Sequence, residues 1–124
     1  MKLKKFLSFI NENTSINQSV IYKLISILDN KKIETEDEFR KSGREVGPYF
    51  SYEIINDYTI YVVYGYSDYE DGCDNTLKIT VSNDNVSVDA TIDGDSIDGS
   101  YKDEQHFDFN DIKQFWQYLL EEIN

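Results

Sequence analysis

The chain has 124 residues, one domain's worth, and with 40% of them hydrophobic and 15% aromatic it carries enough apolar surface to argue against disorder. Twenty-four acids against 12 lysines and arginines give a formal net charge of −12, which argues against nucleic acid or an anionic membrane as partner. The single cysteine, Cys73, excludes an internal disulfide framework and a cysteine-based zinc cluster, and no apolar run approaches the ~18 residues of a membrane span.

The opening Met1–Ile10 imitates a secretory leader, but its apolar part ends after about five residues at Asn11-Glu12-Asn13, short of the ~7–15 required. The expectation is a cytoplasmic protein. Leu3, Phe6, Leu7 and Ile10 share one face of a short helix over residues 3–12. Ser15-Ile16-Asn17-Gln18 reads as a capping box. It opens a helix over 16–30 whose wide stripe (Ile16, Val20, Ile21, Leu24, Ile25, Ile27, Leu28) ends at Asn30-Lys31-Lys32. Thr35-Glu36-Asp37-Glu38 reads as a second capping box, opening a separate short helix that stops at Gly43.

Near Gly47-Pro48 the hydrophobic period changes from helical to alternating. Phe50, Tyr52 and Ile54 alternate with polar residues, and Tyr58–Tyr66 is apolar or aromatic on both faces, as in a central strand. Leu77, Ile79 and Val81 form one more alternating run, and Val86, Val88, Ala90 and Ile92 another. A weak fifth strand follows Gly99. The short links favour an antiparallel meander. Asp108 or Asn110 then caps a helix over 110–123, striped by Ile112, Phe115, Trp116, Leu119, Leu120 and Ile123, with Phe115 and Trp116 on or near the helix–sheet core. The class is α+β: a helical segment over 1–48, an antiparallel sheet of four to five strands over 49–105, and a C-terminal helix over 108–124 packed on one sheet face.

Charge divides at the same boundary. Residues 1–48 hold seven acids and nine bases, net +2, whereas residues 49–124 hold seventeen acids and three bases, net −14. Two segments concentrate the acids. Asp68-Tyr69-Glu70-Asp71-Gly72-Cys73-Asp74 superficially resembles a calcium loop, but counting from Asp68 the glycine falls fifth rather than sixth and position twelve is Ile79. Asp93-Gly94-Asp95-Ser96-Ile97-Asp98-Gly99 reads as a turn. No metal or cofactor is expected. His106, the only histidine, reads as a loop or strand-edge residue. Cys73, between Asp71 and Asp74, lacks the electropositive setting of a nucleophile. No catalytic constellation emerges.

Seven of the ten tyrosines (Tyr49, Tyr52, Tyr58, Tyr61, Tyr64, Tyr66, Tyr69) fall within 21 residues beside an acidic segment. Rings bordered by carboxylates suit a surface that grips a lysine- and arginine-rich protein. In general form this small, acidic α+β chain resembles the immunity proteins that bacteria pair with polymorphic or contact-dependent growth inhibition toxins. The resemblance covers the whole chain without a diagnostic motif, so no family residues carry over. It implies a heterodimer with a basic toxin domain, often a nuclease, whose active site is covered. The residues assigned to that contact are Tyr64, Tyr66, Asp68, Tyr69, Glu70, Asp71 and Asp74 in one segment and Asp93, Asp95 and Asp98 in another. Two alternatives stand beside this reading: a phage-encoded nucleic-acid mimic of the anti-CRISPR or anti-restriction kind, and a small metal-dependent module or hydrolase using the acidic segments.

Overall fold

The computed structural model describes residues 16–44, 47–67, 72–83, 85–96 and 99–124. Over these the chain runs through α1 (Ile16–Ser42), β1 (Pro48–Asn56), β2 (Thr59–Ser67), β3 (Gly72–Val81), β4 (Val86–Ser96), β5 (Gly99–Phe109) and α2 (Ile112–Ile123). The five strands pair in chain order, every neighbour antiparallel, so the fold is α+β with a simple meander. The helix expected over 3–12 lies outside the described residues.

Three local expectations are corrected. First, α1 does not end at Lys32 and restart at Thr35; it is one helix of 27 residues. The Thr35 hydroxyl donates to the carbonyl of Lys31 at 2.8 Å, back-bonding within the helix instead of capping a new one. Neither Gly nor Pro interrupts the chain before Gly43. There φ reaches +66°, and Ser42 Oγ donates to the Phe39 carbonyl at 2.7 Å, closing the helix end. Second, the helix cap is Asp111, not Asp108 or Asn110: its carboxylate accepts from Lys113 N at 2.9 Å. Asp108 is instead a strand residue, because β5 is a full strand of 11 residues reaching Phe109. Third, Asp93 and Asp95 belong to β4 and not to a turn, and β3 already begins at Gly72.

One face of the sheet holds the core. Ile60, Val62, Leu77, Ile79 and Val88 meet Leu24 and Leu28 of α1 and Phe115 and Leu119 of α2, all of them fully or almost fully buried. Phe115, Leu119 and Ile123 recur every fourth residue, so they form one stripe along α2. Polar ties fix the helices to the strands. The Tyr52 hydroxyl donates to Asp29 of α1, and burial together with that carboxylate pushes the phenol up to about 12. Between the helices, Lys23 Nζ lies 4.6 Å above the Trp116 ring. At the far side Phe107 and Phe109 of β5 stack with Phe115 and Tyr118 of α2, ring centroids 5.1–5.9 Å apart.

Adjacent leucines of α2 provide a stability test, since Leu119 is fully buried and Leu120 is 42% exposed. Leu119→Ala is expected to cost about 2–5 kcal/mol, while Leu120→Ala costs less than about 1 kcal/mol. Urea midpoints at constant m-value measure both.

Candidate functional site: the open face of the sheet

Both described helices pack on the same side, so the other face of the sheet has no helix over it among the described residues. Side chains alternate between faces along a strand, and the pairing registers place the open-face residues in rows. One row reads Glu53, Tyr61, Lys78, Asp89, His106 from β1 to β5. The next is Ser51, Val63, Thr76, Thr91, Glu104, followed by Tyr49, Gly65, Asp74, Asp93, Lys102. Nearer one end Asp95 stands opposite Ser100, and at the other end Ser87 stands opposite Asp108. The face therefore carries seven carboxylates (Glu53, Asp74, Asp89, Asp93, Asp95, Glu104, Asp108) against two lysines, Lys78 and Lys102. Six of the seven lie on β3–β5, while β1 and β2 contribute the half-buried Tyr49, Tyr61 and Val63.

Asp74 and Asp93 are directly opposed across β3 and β4, an arrangement of like charges that destabilises a sheet. Neither makes an ion pair with a described residue; Lys102, next in the row, reaches Glu104 at 3.3 Å. Negative potential on this side of the molecule is thus left uncompensated.

His106 is the exception to that excess. Nδ1 lies 2.6 Å from Asp89 Oδ1 and Nε2 lies 3.0 Å from Asp108 Oδ2, and Asp108 also accepts from the Ser87 hydroxyl at 2.6 Å. The bonds to Asp89 and then Asp108 hold the imidazole above its ordinary 6.5. The Ser87 hydroxyl, followed by His106, holds the Asp108 carboxyl below the usual 3.8. The carboxylates grip opposite nitrogens of the ring, so they bracket the imidazole and do not converge on a common point beside it. Among the described residues no group of three His, Cys, Asp or Glu side chains is placed to hold a metal ion.

The residues assigned to a contact from sequence divide in three. Asp74, Asp93 and Asp95 lie exposed on the open face. Tyr64 and Tyr66 point to the helix side. There the Tyr64 hydroxyl donates to Glu122 Oε1 of α2 at 2.8 Å, and burial followed by that carboxylate raises the phenol well above its ordinary value. Asp68, Tyr69, Glu70, Asp71 and Asp98 lie outside the described residues. The two links that contain them, between β2 and β3 and between β4 and β5, leave the same end of the meander. Cys73 is also on the helix side, opposite Gly94 and away from Asp74. The Tyr101 ring lies across Gly94 towards the thiol, and a Cβ at Gly94 would meet that ring at 2.2 Å.

Sequence reasoning missed Glu53, Asp89, Glu104 and Asp108 as members of one surface. The signal was available in β5, where Lys102, Glu104, His106 and Asp108 occupy every second position. Compared with family models, curated proteins and solved structures, the chain matches none.

Two outcomes follow from these bonds. In an NMR titration His106 should change charge above 6.5, and Asp89→Asn should lower that midpoint. Because the folded value is raised, the histidine's contribution to stability is complete below 6.5 and is lost as pH rises through the folded value. Tyr64→Phe, which deletes only the hydroxyl bonded to Glu122, should cost about 1 kcal/mol in urea unfolding.

Proposed function

We propose that this chain is a binding protein of the immunity type, which neutralises a basic toxin domain, most readily a nuclease, by laying the open face of its sheet over a cationic active-site cleft. The observation that carries the reading is the face itself: seven carboxylates against two lysines, bordered by Tyr49 and Tyr61. A nuclease cleft is lined by lysines and arginines that hold phosphates, and carboxylates on a rigid sheet can pair with the same groups. Long-range attraction between the two surfaces speeds encounter and fixes orientation. The half-buried rings on β1 and β2 supply apolar contact area that charge alone does not.

The acidic strand ends complete this picture. Asp74, Asp93 and Asp95 cluster at one end of β3 and β4. An opposed pair such as Asp74 and Asp93 costs stability in the free protein, a cost that a partner's arginine placed between them would relieve.

Co-purification with the product of the adjacent gene identifies the partner. The triple change Asp74→Asn, Asp93→Asn, Asp95→Asn should then slow association by about 10-fold at low salt and flatten its salt dependence. An unchanged rate and slope would remove this face from the contact. Binding of the adjacent product without loss of its toxic activity would overturn the immunity role.

A further inference from the structure

The sheet has two edges, and they are built differently. Strand β1 starts with Pro48, breaks register between Ile54 and Asn56, and is tied to α1 through Tyr52 and Asp29. Proline and a bulge are devices that discourage a further strand from pairing. Strand β5 has neither. Its pairing with β4 runs from Val86 opposite Phe109 to Ser96 opposite Gly99 without a shift, and every residue as far as His106 is exposed. No described strand lies beside it.

The backbone groups of this edge that no described strand pairs with can be named. Ser82 N donates to Asn85 O, and Val81 N donates to Tyr58 O. In an antiparallel ladder the bonding direction alternates along each strand. In β3, then, even-numbered residues bond to β4 and odd-numbered ones to β2. Carried through the unbroken registers, odd-numbered residues of β5 bond to β4. The amides and carbonyls of Ser100, Lys102, Glu104, His106 and Asp108 point away from the sheet.

We infer that the β5 edge accepts an extended segment of the protein partner as a sixth strand, and that this segment alternates basic and apolar residues. The inference rests on the acidic-face reading above and specifies how the partner engages it. An added strand lies about 4.8 Å from β5 and presents alternate side chains to the two faces. On the open face its neighbours are Lys102, Glu104, His106 and Asp108; the two carboxylates, engaged by Lys102 and His106 in the free chain, favour lysine or arginine opposite them. On the helix side they are the exposed Tyr101, Asp103 and Gln105 and then the half-buried rings of Phe107 and Phe109, packed on Tyr118, and it is at these last two that an apolar chain is favoured. A second copy of this chain is a poor occupant: pairing β5 with itself brings Asp103, Glu104 and Asp108 of each copy together against one lysine apiece. Main-chain bonds supply the affinity in such strand addition, and the alternating side chains supply selectivity.

The test uses the full-length chain and two synthetic peptides of about ten residues, a strand's length. One alternates lysine and valine; the other has the same composition with the lysines grouped at one end. The alternating peptide should slow hydrogen exchange of the Lys102, Glu104 and His106 amides by about 10-fold or more, and the grouped peptide should not. Lys102→Pro removes an outward amide while making the chain more negative, so it should weaken the alternating peptide about 10-fold, whereas Lys102→Ala binds at least as well as the unaltered chain. The thermal transition of Lys102→Pro confirms that it is folded. Should both peptides bind alike, with β5 exchange unchanged, the edge is excluded and the acidic face stands. Should neither peptide bind, the edge is excluded and the acidic face loses support as well. Protection that grows with protein concentration in the absence of peptide overturns the inference in favour of a second copy.

Discussion

Burial among the described residues is one-sided: α1 and α2 both lie against the same face of a five-stranded sheet, so Leu24, Leu28, Phe115 and Leu119 share one apolar layer with Ile60, Val62, Leu77, Ile79 and Val88. Burying such side chains yields about 1.5–3 kcal/mol each, the main favourable contribution to folding. A half-covered sheet must then alternate apolar and polar residues, because a register slip of one position would exchange its two faces. The long unbroken registers of β3 with β4 and of β4 with β5 are the visible result.

The same alternation decides where charge goes. All the carboxylates of β3–β5 except Asp103, which stands opposite Ile92 on the helix side, are delivered to the opposite face, so a rule that builds the core also builds an acidic plane. Asp74 and Asp93 end up opposed although nothing in the core requires it. Their cost in the free protein, set beside the bracketed and locally neutralised His106, separates acids with internal work from acids without it. Asp89 and Asp108 hold an imidazole. Asp74, Asp93 and Asp95 make no ion pair with a described residue and remain free to meet a cation from outside.

The tyrosines divide along the same plane. Tyr52 and Tyr64 face the helices and donate to Asp29 and Glu122, so their hydroxyls fasten α1 and α2 to the strands. Tyr49 and Tyr61 face outwards. Tyrosine's dual character, a ring that tolerates burial and a hydroxyl that needs a partner, serves both positions, which is why a count of tyrosines could not separate them.

Much of this was written in the sequence. Period and spacing determined that helices precede strands, that the strands form an antiparallel meander, and that Phe115 lies in the core with Trp116 half-buried against it, because burial imposes periodicity directly on the residues that undergo it. Charge asymmetry between the halves was equally legible. The continuity of α1 through Thr35 was not, since one hydroxyl can cap a new helix or bond back within an old one, and only the surrounding packing selects between them. Strand β5 was legible only weakly: an edge strand that is mostly exposed need not be apolar, so its alternation is carried by Lys102, Glu104, His106 and Asp108 and not by hydrophobes. Alternation within β5 already sets Glu104 and Asp108 on one face, but which acids of different strands meet was settled by tertiary structure. Asp74 meets Asp93 only because β3 pairs with β4 in one register, and Asp93 meets Lys102 only through the register of β4 with β5, a property of pairing that alternation within one strand does not encode.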